Sequence, residues 1–111
     1  MLKLTKPIAF IDLETTGVSI STDRIVEIAI IKILPDESRV VKRKIINPQM
    51  PIPQSSTDIH GITNEMVKDA PTFKEVANEV KVFIDGCDLG GYNSNRFDIP
   101  VLMEEFLRAG L

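Results

Sequence analysis

Apolar positions change their spacing along the chain, and the spacing predicts the order of the elements. Residues 8–17 begin as a short apolar run, typical of a buried strand, and end in two acids, two threonines and a glycine. Residues 24–34 are rich in Ile and Val and predict a second strand, largely buried on both faces. Residues 39–46 mix Val and Ile with Lys and Arg, as edge strands do. Only a short turn separates these two strands, so we expect them to be antiparallel.

The second half of the chain carries helical spacing. Apolar residues recur every three or four positions over residues 73–84, directly after the Thr-x-x-Glu pattern of a capping box. A second helix is predicted to start at Asp98, with Pro100 in its first turn. Residues 55–64 predict short helical turns, and residues 88–92 predict a short strand between the two helices. This order indicates an α/β domain with a mixed sheet.

The composition and the net charge exclude some classes of function. The 111 residues suffice for one domain, and 43% hydrophobic with 26% charged residues is an ordinary globular composition. A net charge of −3 argues against a protein that coats duplex DNA by charge alone, but it allows an enzyme that handles nucleotides through bound metal ions. The single cysteine excludes an internal disulfide, and no segment resembles a signal peptide or a membrane span. We therefore expect a cytoplasmic protein with no membrane partner.

Asp12 and Glu14 are the strongest candidates for chemistry. Side chains alternate along a strand, so both acids share one face at the strand end, with their Cα atoms roughly 6.5–7 Å apart. Two neighbouring carboxylates repel each other unless a positive charge lies between them, and a divalent metal ion is the natural partner. Thr15 and Thr16 follow, and their hydroxyls either bind a substrate phosphate or brace the turn.

Three other polar residues admit two interpretations each. Asp98 is either a helix N-cap, which the local pattern favours, or a further carboxylate aimed at the same metal. His60, the only histidine, is either a general base or, as we expect, a loop residue with a structural hydrogen bond. Glu27 interrupts an apolar strand and either faces solvent or braces a neighbouring loop; it is assigned no chemistry.

Taken together, the motifs resemble those of the DnaQ-like (DEDD, with the DEDDh branch favoured) 3′–5′ exonucleases. That family has the ribonuclease H-like fold and includes the proofreading subunit of bacterial DNA polymerase III and ribonuclease T. The match comprises D-x-E-T-T-G at residues 12–17, His-Gly-Ile-Thr at residues 60–63, and Asn93 followed by Phe97 and Asp98. The resemblance implies a mixed sheet made of a three-strand antiparallel meander plus a further parallel strand, with two main helices.

The resemblance also implies a site. Asp12, Glu14 and Asp98 would be catalytic ligands of two divalent ions, Mg²⁺ or Mn²⁺, which activate the attacking water and stabilise the leaving oxygen. The substrate would be the 3′ end of single-stranded DNA or RNA, and a DNA polymerase subunit is a candidate partner. The expected contacts to the terminal nucleotide are Thr15, Thr16, Asn93 and Phe97.

The family's third motif, a general-base His or Tyr with a fourth Asp, lies downstream of the second motif and is not found in these residues. We therefore interpret residues 1–111 as a single, C-terminally incomplete exonuclease domain that has little or no activity alone.

Two alternatives stay open at this stage. A haloacid-dehalogenase-like phosphatase also opens with a strand that ends in acid-x-acid-x-Thr, although Glu14 would replace the usual second Asp. The other alternative is a non-catalytic nucleic-acid-binding module of the same fold. It stays open because the third motif is missing.

Overall fold

A four-stranded sheet forms the centre of the protein, with its two longer helices packed on one face. The computed structural model describes residues 5–90 and 97–111. The strands are β1 (Ile8–Thr15), β2 (Ile25–Ile33), β3 (Arg39–Ile45) and β4 (Asp88–Gly90). The helices are α1 (Gln54–His60), α2 (Asn64–Val67), α3 (Phe73–Ile84) and α4 (Ile99–Arg108). Within this part of the chain, none of the helices has the length and apolar character to cross a membrane.

The sheet has the order β3-β2-β1-β4. β1 pairs with β2 and β2 with β3 in antiparallel fashion, whereas β4 runs parallel to β1. The meander with one added parallel strand is therefore confirmed, and β1 is central. The predicted strand at residues 88–92 is confirmed over Asp88–Gly90, and its last two residues lie outside the described part of the chain.

One face of β1 builds the hydrophobic core. Ala9, Ile11 and Leu13 are buried and pack with Ile28 and Ile30 of β2 against both longer helices. The helices contribute a tightly packed apolar layer that includes an edge-to-face aromatic pair with ring centroids 5.3 Å apart. The helical side of this core comprises Phe73, Val76, Ala77, Val80, Val101, Leu102 and Phe106.

The opposite face of the sheet is open, which corrects the expectation that β1 and β2 are buried strands. Phe10 and Ile31 lie opposite each other in the sheet and are 40% and 38% exposed. Asp12 and Glu14 share this face. An apolar run shows that a strand belongs to a sheet, but it does not show whether both of its faces are covered.

The two main helices start differently from each other. At α3 the Glu75 carboxylate accepts a hydrogen bond from the Thr72 N–H at 2.9 Å, as the capping-box pattern predicts. At α4 the predicted start is confirmed, since Asp98 occupies the N-cap position and Pro100 lies in the first turn, but the prediction that the Asp98 side chain caps the helix is wrong. Asp98 has helical backbone angles (φ −60°, ψ −49°) and its side chain makes no capping hydrogen bond. Its carboxylate is therefore available for contacts away from its own helix.

A buried ion cluster attaches α4 to the start of β2. Glu105 is only 1% exposed. Its two oxygens accept hydrogen bonds from Arg24 Nε at 2.8 Å and from the backbone N–H of Ile25 at 3.0 Å. Arg108 Nη1 adds a longer contact at 3.3 Å. These contacts hold the helix that begins beside Asp98 in one position on the sheet.

We expect Glu105→Ala to lower the free energy of unfolding by about 3–5 kcal/mol, because it leaves a charged guanidinium and a backbone N–H without their acceptors. Glu105→Gln, which keeps one acceptor oxygen, should cost less. Urea denaturation of both variants measures the difference, with the half-buried neighbour Glu104→Ala as the control. Equal stability of Glu105→Ala and Glu104→Ala would show that the cluster does not anchor α4.

Candidate functional site

A cleft of about 640 Å³ lies at the end of β1, beside α1 and the start of α4. It brings together five of the residues that the sequence predicts for the site, including all three acids. Thr16 does not line the cleft, and Asn93 lies outside the described residues. The lining consists of Asp12, Leu13, Glu14, Thr15, Gly17, Val18, Ser56, Ile59, His60, Phe97 and Asp98.

Asp12 and Glu14 reach the cleft from the open face of the sheet. In the ladder they lie opposite Ala29 and Glu27 of β2, so Glu14 has a second acid as its cross-strand neighbour. Partial burial and then the charge of Asp12 raise the pKa of Glu14, with a further contribution from Glu27. The strand therefore holds carboxylates closer together than their charges favour.

Asp98 joins this pair through the tertiary structure. It is 4% exposed, and burial raises its pKa to about 6, helped by the negative charge of Asp12 and then of Glu14. The backbone N–H of Leu13 donates a hydrogen bond to the carboxylate, which acts to lower the Asp98 pKa. The Asp98 carboxylate therefore lies against β1, near enough to the two strand acids to sense their charge.

The three acids suit a divalent cation, although they do not form a closed metal cage. Within residues 5–90 and 97–111, no three His, Cys, Asp or Glu side chains are arranged to hold a metal ion together. Magnesium characteristically takes one or two carboxylates, keeps several waters and binds substrate phosphates. A set of carboxylate oxygens whose charges repel one another, open to solvent on one side, fits that kind of ion.

Thr15 and Thr16 brace the turn that follows the acids. The Thr15 hydroxyl donates to the carbonyl of Gly17 at 2.6 Å. The Thr16 hydroxyl is fully buried; it donates to Asp23 Oδ1 at 2.8 Å and accepts from the Arg24 N–H at 3.0 Å. Thr16 therefore lies behind the turn and does not line the cleft. Its hydroxyl makes its hydrogen bonds with other residues inside the protein. Substrate contact by Thr15, which does line the cleft, stays a prediction.

The expectation of a structural hydrogen bond for His60 is confirmed. Its Nε2 lies 3.1 Å from the carbonyl oxygen of Thr15, and its Nδ1 accepts the Ile62 N–H at 3.0 Å. A neighbouring residue of α1 that the sequence did not single out, Ser56, donates from Oγ to the carbonyl of Thr16 at 2.6 Å. No local pattern distinguishes this serine from its neighbours.

Glu27 also affects the charge of the site, although the sequence pattern assigned it no role there. Its carboxylate forms a two-pronged ion pair with Arg43 of β3, at 3.1 and 3.2 Å. Arg43 thereby offsets the acid that lies opposite Glu14, and its charge lowers the Glu14 pKa. The signal in the sequence was an acid inside an otherwise apolar strand.

Comparisons with known proteins agree with this geometry. A family model described as "Exonuclease" (RNase_T) matches residues 9–111. The chain is 37% identical over 100 residues to a "DNA polymerase III PolC-type" protein of Caldanaerobacter subterraneus subsp. tengcongensis, covering 90% of this chain and 7% of that protein. It is 39% identical to a "DNA polymerase III subunit epsilon-like protein" of Rhodobacter capsulatus, with 89% and 14% covered. It is 36% identical to the "3'-5' exonuclease DinG" of Bacillus subtilis, with 90% and 11% covered.

Among solved structures, E. coli exonuclease I in complex with a dT13 oligonucleotide superposes with a TM-score of 0.84. The match covers 95% of this chain and 24% of that one, at 21% identity, and it shows the fold alone. The predicted ribonuclease H-like mixed sheet is thereby confirmed. The chain spans only 7% to 14% of the length of the three curated relatives. None of these matches supports the phosphatase alternative.

The turn after the acids generates a prediction at Gly17. A Cβ at this position would lie 2.5 Å from Asp23 Oδ2, an atom already held by the Ser19 N–H at 2.8 Å. We expect Gly17→Ala to cost roughly 1–3 kcal/mol of unfolding free energy, because the carboxylate must give up hydrogen bonds to make room.

A double-mutant cycle with Asp23→Ala tests this cause. In the Asp23→Ala background the methyl meets no carboxylate, so Gly17→Ala should cost less by roughly 1 kcal/mol or more. Denaturant unfolding of the four proteins gives the coupling. Additive effects would show that contact with Asp23 is not why glycine is needed.

Proposed function

The chain belongs to the RNase_T exonuclease family, and on that premise we propose that it forms the N-terminal part of a 3′–5′ exonuclease domain acting on single-stranded DNA. The observation that carries the proposal is the convergence of Asp12, Glu14 and Asp98 on one cleft. Two of these acids come from the central strand and the third from a helix start far along the chain. Together they provide a concentration of negative charge that a cation can neutralise.

Members of this family are generally dependent on divalent metal ions, and we propose that two Mg²⁺ or Mn²⁺ ions bind here, held by Asp12, Glu14 and Asp98. Such ions supply activation of water and stabilisation of the leaving oxygen in phosphodiester hydrolysis. The chain itself holds the acids in place through β1 and α4. Thr15 and the half-buried Phe97 line the same cleft, and we propose that they contact the terminal nucleotide.

The names of these relatives favour DNA over RNA, since two of the three are named for DNA polymerase III. The net charge of −3 supports contacts confined to the end of a strand, because a long electrostatic track along the backbone needs positive charge. Association with a DNA polymerase subunit, a substrate role for Asn93 and a cytoplasmic location stay predictions.

The site is incomplete if the family pattern applies throughout. The resemblance puts a general base and a fourth acid downstream of the second motif, and His60 does not substitute for the base because both of its nitrogens are engaged. We therefore propose that these residues bind metal and nucleotide but hydrolyse little substrate unaided.

Metal binding is the most direct test. We expect the chain to bind Mn²⁺ weakly and Asp12→Asn to weaken binding about tenfold or more, because the substitution removes a ligand charge without changing side-chain size. Electron paramagnetic resonance measures the free Mn²⁺. The control is Asp36→Asn, an exposed acid in the turn between β2 and β3. Equal Mn²⁺ affinity of Asp12→Asn and the unsubstituted chain would refute the assignment.

Direction of cleavage is a second test. With a single-stranded oligonucleotide labelled at its 5′ end, we expect little cleavage, and any ladder should shorten from the 3′ end and disappear in Asp12→Asn. A 3′-blocked oligonucleotide is the matched substrate. Release of the 5′ label as a mononucleotide before any shortened intermediate appears, or turnover of a chromogenic phosphate ester without any ladder, would contradict exonuclease activity of this polarity.

A further inference from the structure

The backbone just after Glu14 is held by α1 as well as by the sheet. The register of the β1–β2 ladder shifts between Glu14 and Thr15. The next two carbonyls accept hydrogen bonds from α1, with His60 Nε2 3.1 Å from the Thr15 oxygen and Ser56 Oγ 2.6 Å from the Thr16 oxygen. The helix thus secures the strand at the point where the ladder is irregular.

The ring of His60 is constrained at both nitrogens. Because Nδ1 accepts the Ile62 N–H, its lone pair is occupied and the ring proton is assigned to Nε2, which then donates to the Thr15 carbonyl. Gly61, with φ at 78°, makes the turn that brings the Ile62 N–H back to the ring. Ile62 is itself buried in a second apolar cluster with Val26. The residue whose N–H binds the histidine ring is therefore fixed by its own packing.

We propose that His60 is a positioning residue for the acid pair. It holds the Thr15 carbonyl, limits movement of the backbone next to Glu14, and thereby keeps the Glu14 carboxylate beside Asp12. This inference rests on the proposed metal site. Residues that orient metal ligands from outside the coordination sphere typically change affinity about 10–100-fold when they are lost. His60 contacts the carbonyl of Thr15, the residue after Glu14, and not the Glu14 carboxylate itself. We therefore expect a loss of metal affinity at the low end of that range.

Three substitutions separate the two hydrogen bonds of the ring. His60→Gln keeps an N–H donor near the position of Nε2, His60→Asn keeps an acceptor near the position of Nδ1, and His60→Ala keeps neither. We expect His60→Asn and His60→Ala to weaken Mn²⁺ binding about tenfold, and His60→Gln to stay within about threefold of the unsubstituted chain. The control is Ser55→Ala, an exposed position on the same helix.

Two further measurements distinguish positioning from a general loss of stability. Thermal unfolding of each variant sets an assay temperature at which all of them are folded; a merely structural role lowers the midpoint without changing Mn²⁺ affinity below it. Amide hydrogen exchange of Thr15 and Thr16 in the metal-free protein should accelerate in His60→Asn but not in His60→Gln.

The outcomes for the two proposals differ. If the unsubstituted chain does not bind Mn²⁺, or binds it equally well after Asp12→Asn, the proposed metal site fails whatever His60 does. If binding depends on Asp12 but is the same in His60→Asn and His60→Gln, the positioning role is overturned. Loss of affinity in His60→Asn with recovery in His60→Gln supports it.

Discussion

Repulsion between the carboxylates at the end of β1 is the constraint on which the surrounding structure depends. Asp12 and Glu14 sit on the same face of one strand, and the burial of Glu14 increases the unfavourable energy of its charge. They remain together because β1 pairs with β2 along its whole length, including at both acids, while β4 pairs with the first three residues of the same strand. The strand's other face, built from Ala9, Ile11 and Leu13, is locked in the core. Rigid backbone, and not attraction between side chains, holds the pair.

Asp98 adds to that charge from a different element. Helix α4 begins beside it, and Glu105, about two turns further along, ties the helix to Arg24 and Ile25 at the start of β2. A buried ion pair of this kind contributes little net stability compared with an apolar pair, but it defines one position for the helix. That position places the Asp98 carboxylate against β1, where burial raises its pKa to about 6.

The open face of the sheet explains why the acids are accessible. Helices α3 and α4 pack against the opposite face, so Asp12 and Glu14 point away from the core. The acids therefore border solvent, through which a hydrated ion and a nucleic-acid end can arrive. Arg43 crosses the same face to pair with Glu27, which prevents a further unpaired acid opposite Glu14. The electrostatics of the site thus involve three neighbouring strands.

The sequence by itself determined the features that depend on nearby residues. Strand alternation put Asp12 and Glu14 on one face, the capping box marked the start of α3, and the order of elements indicated a mixed sheet. Each depends on backbone geometry or on hydrogen bonds over a few positions, which local patterns record.

The tertiary structure alone decided the features that depend on packing between distant segments. Local pattern made Asp98 a helix cap, whereas packing turned its carboxylate toward β1; only the family resemblance anticipated this. No periodic pattern in the sequence indicates three other features. They are the burial of Glu105, the open face of the sheet, and the hydrogen bond between α1 and the Thr15 carbonyl. A single polar residue has the same local signature whether it faces solvent or a partner eighty positions away, because its burial is set by what packs against it.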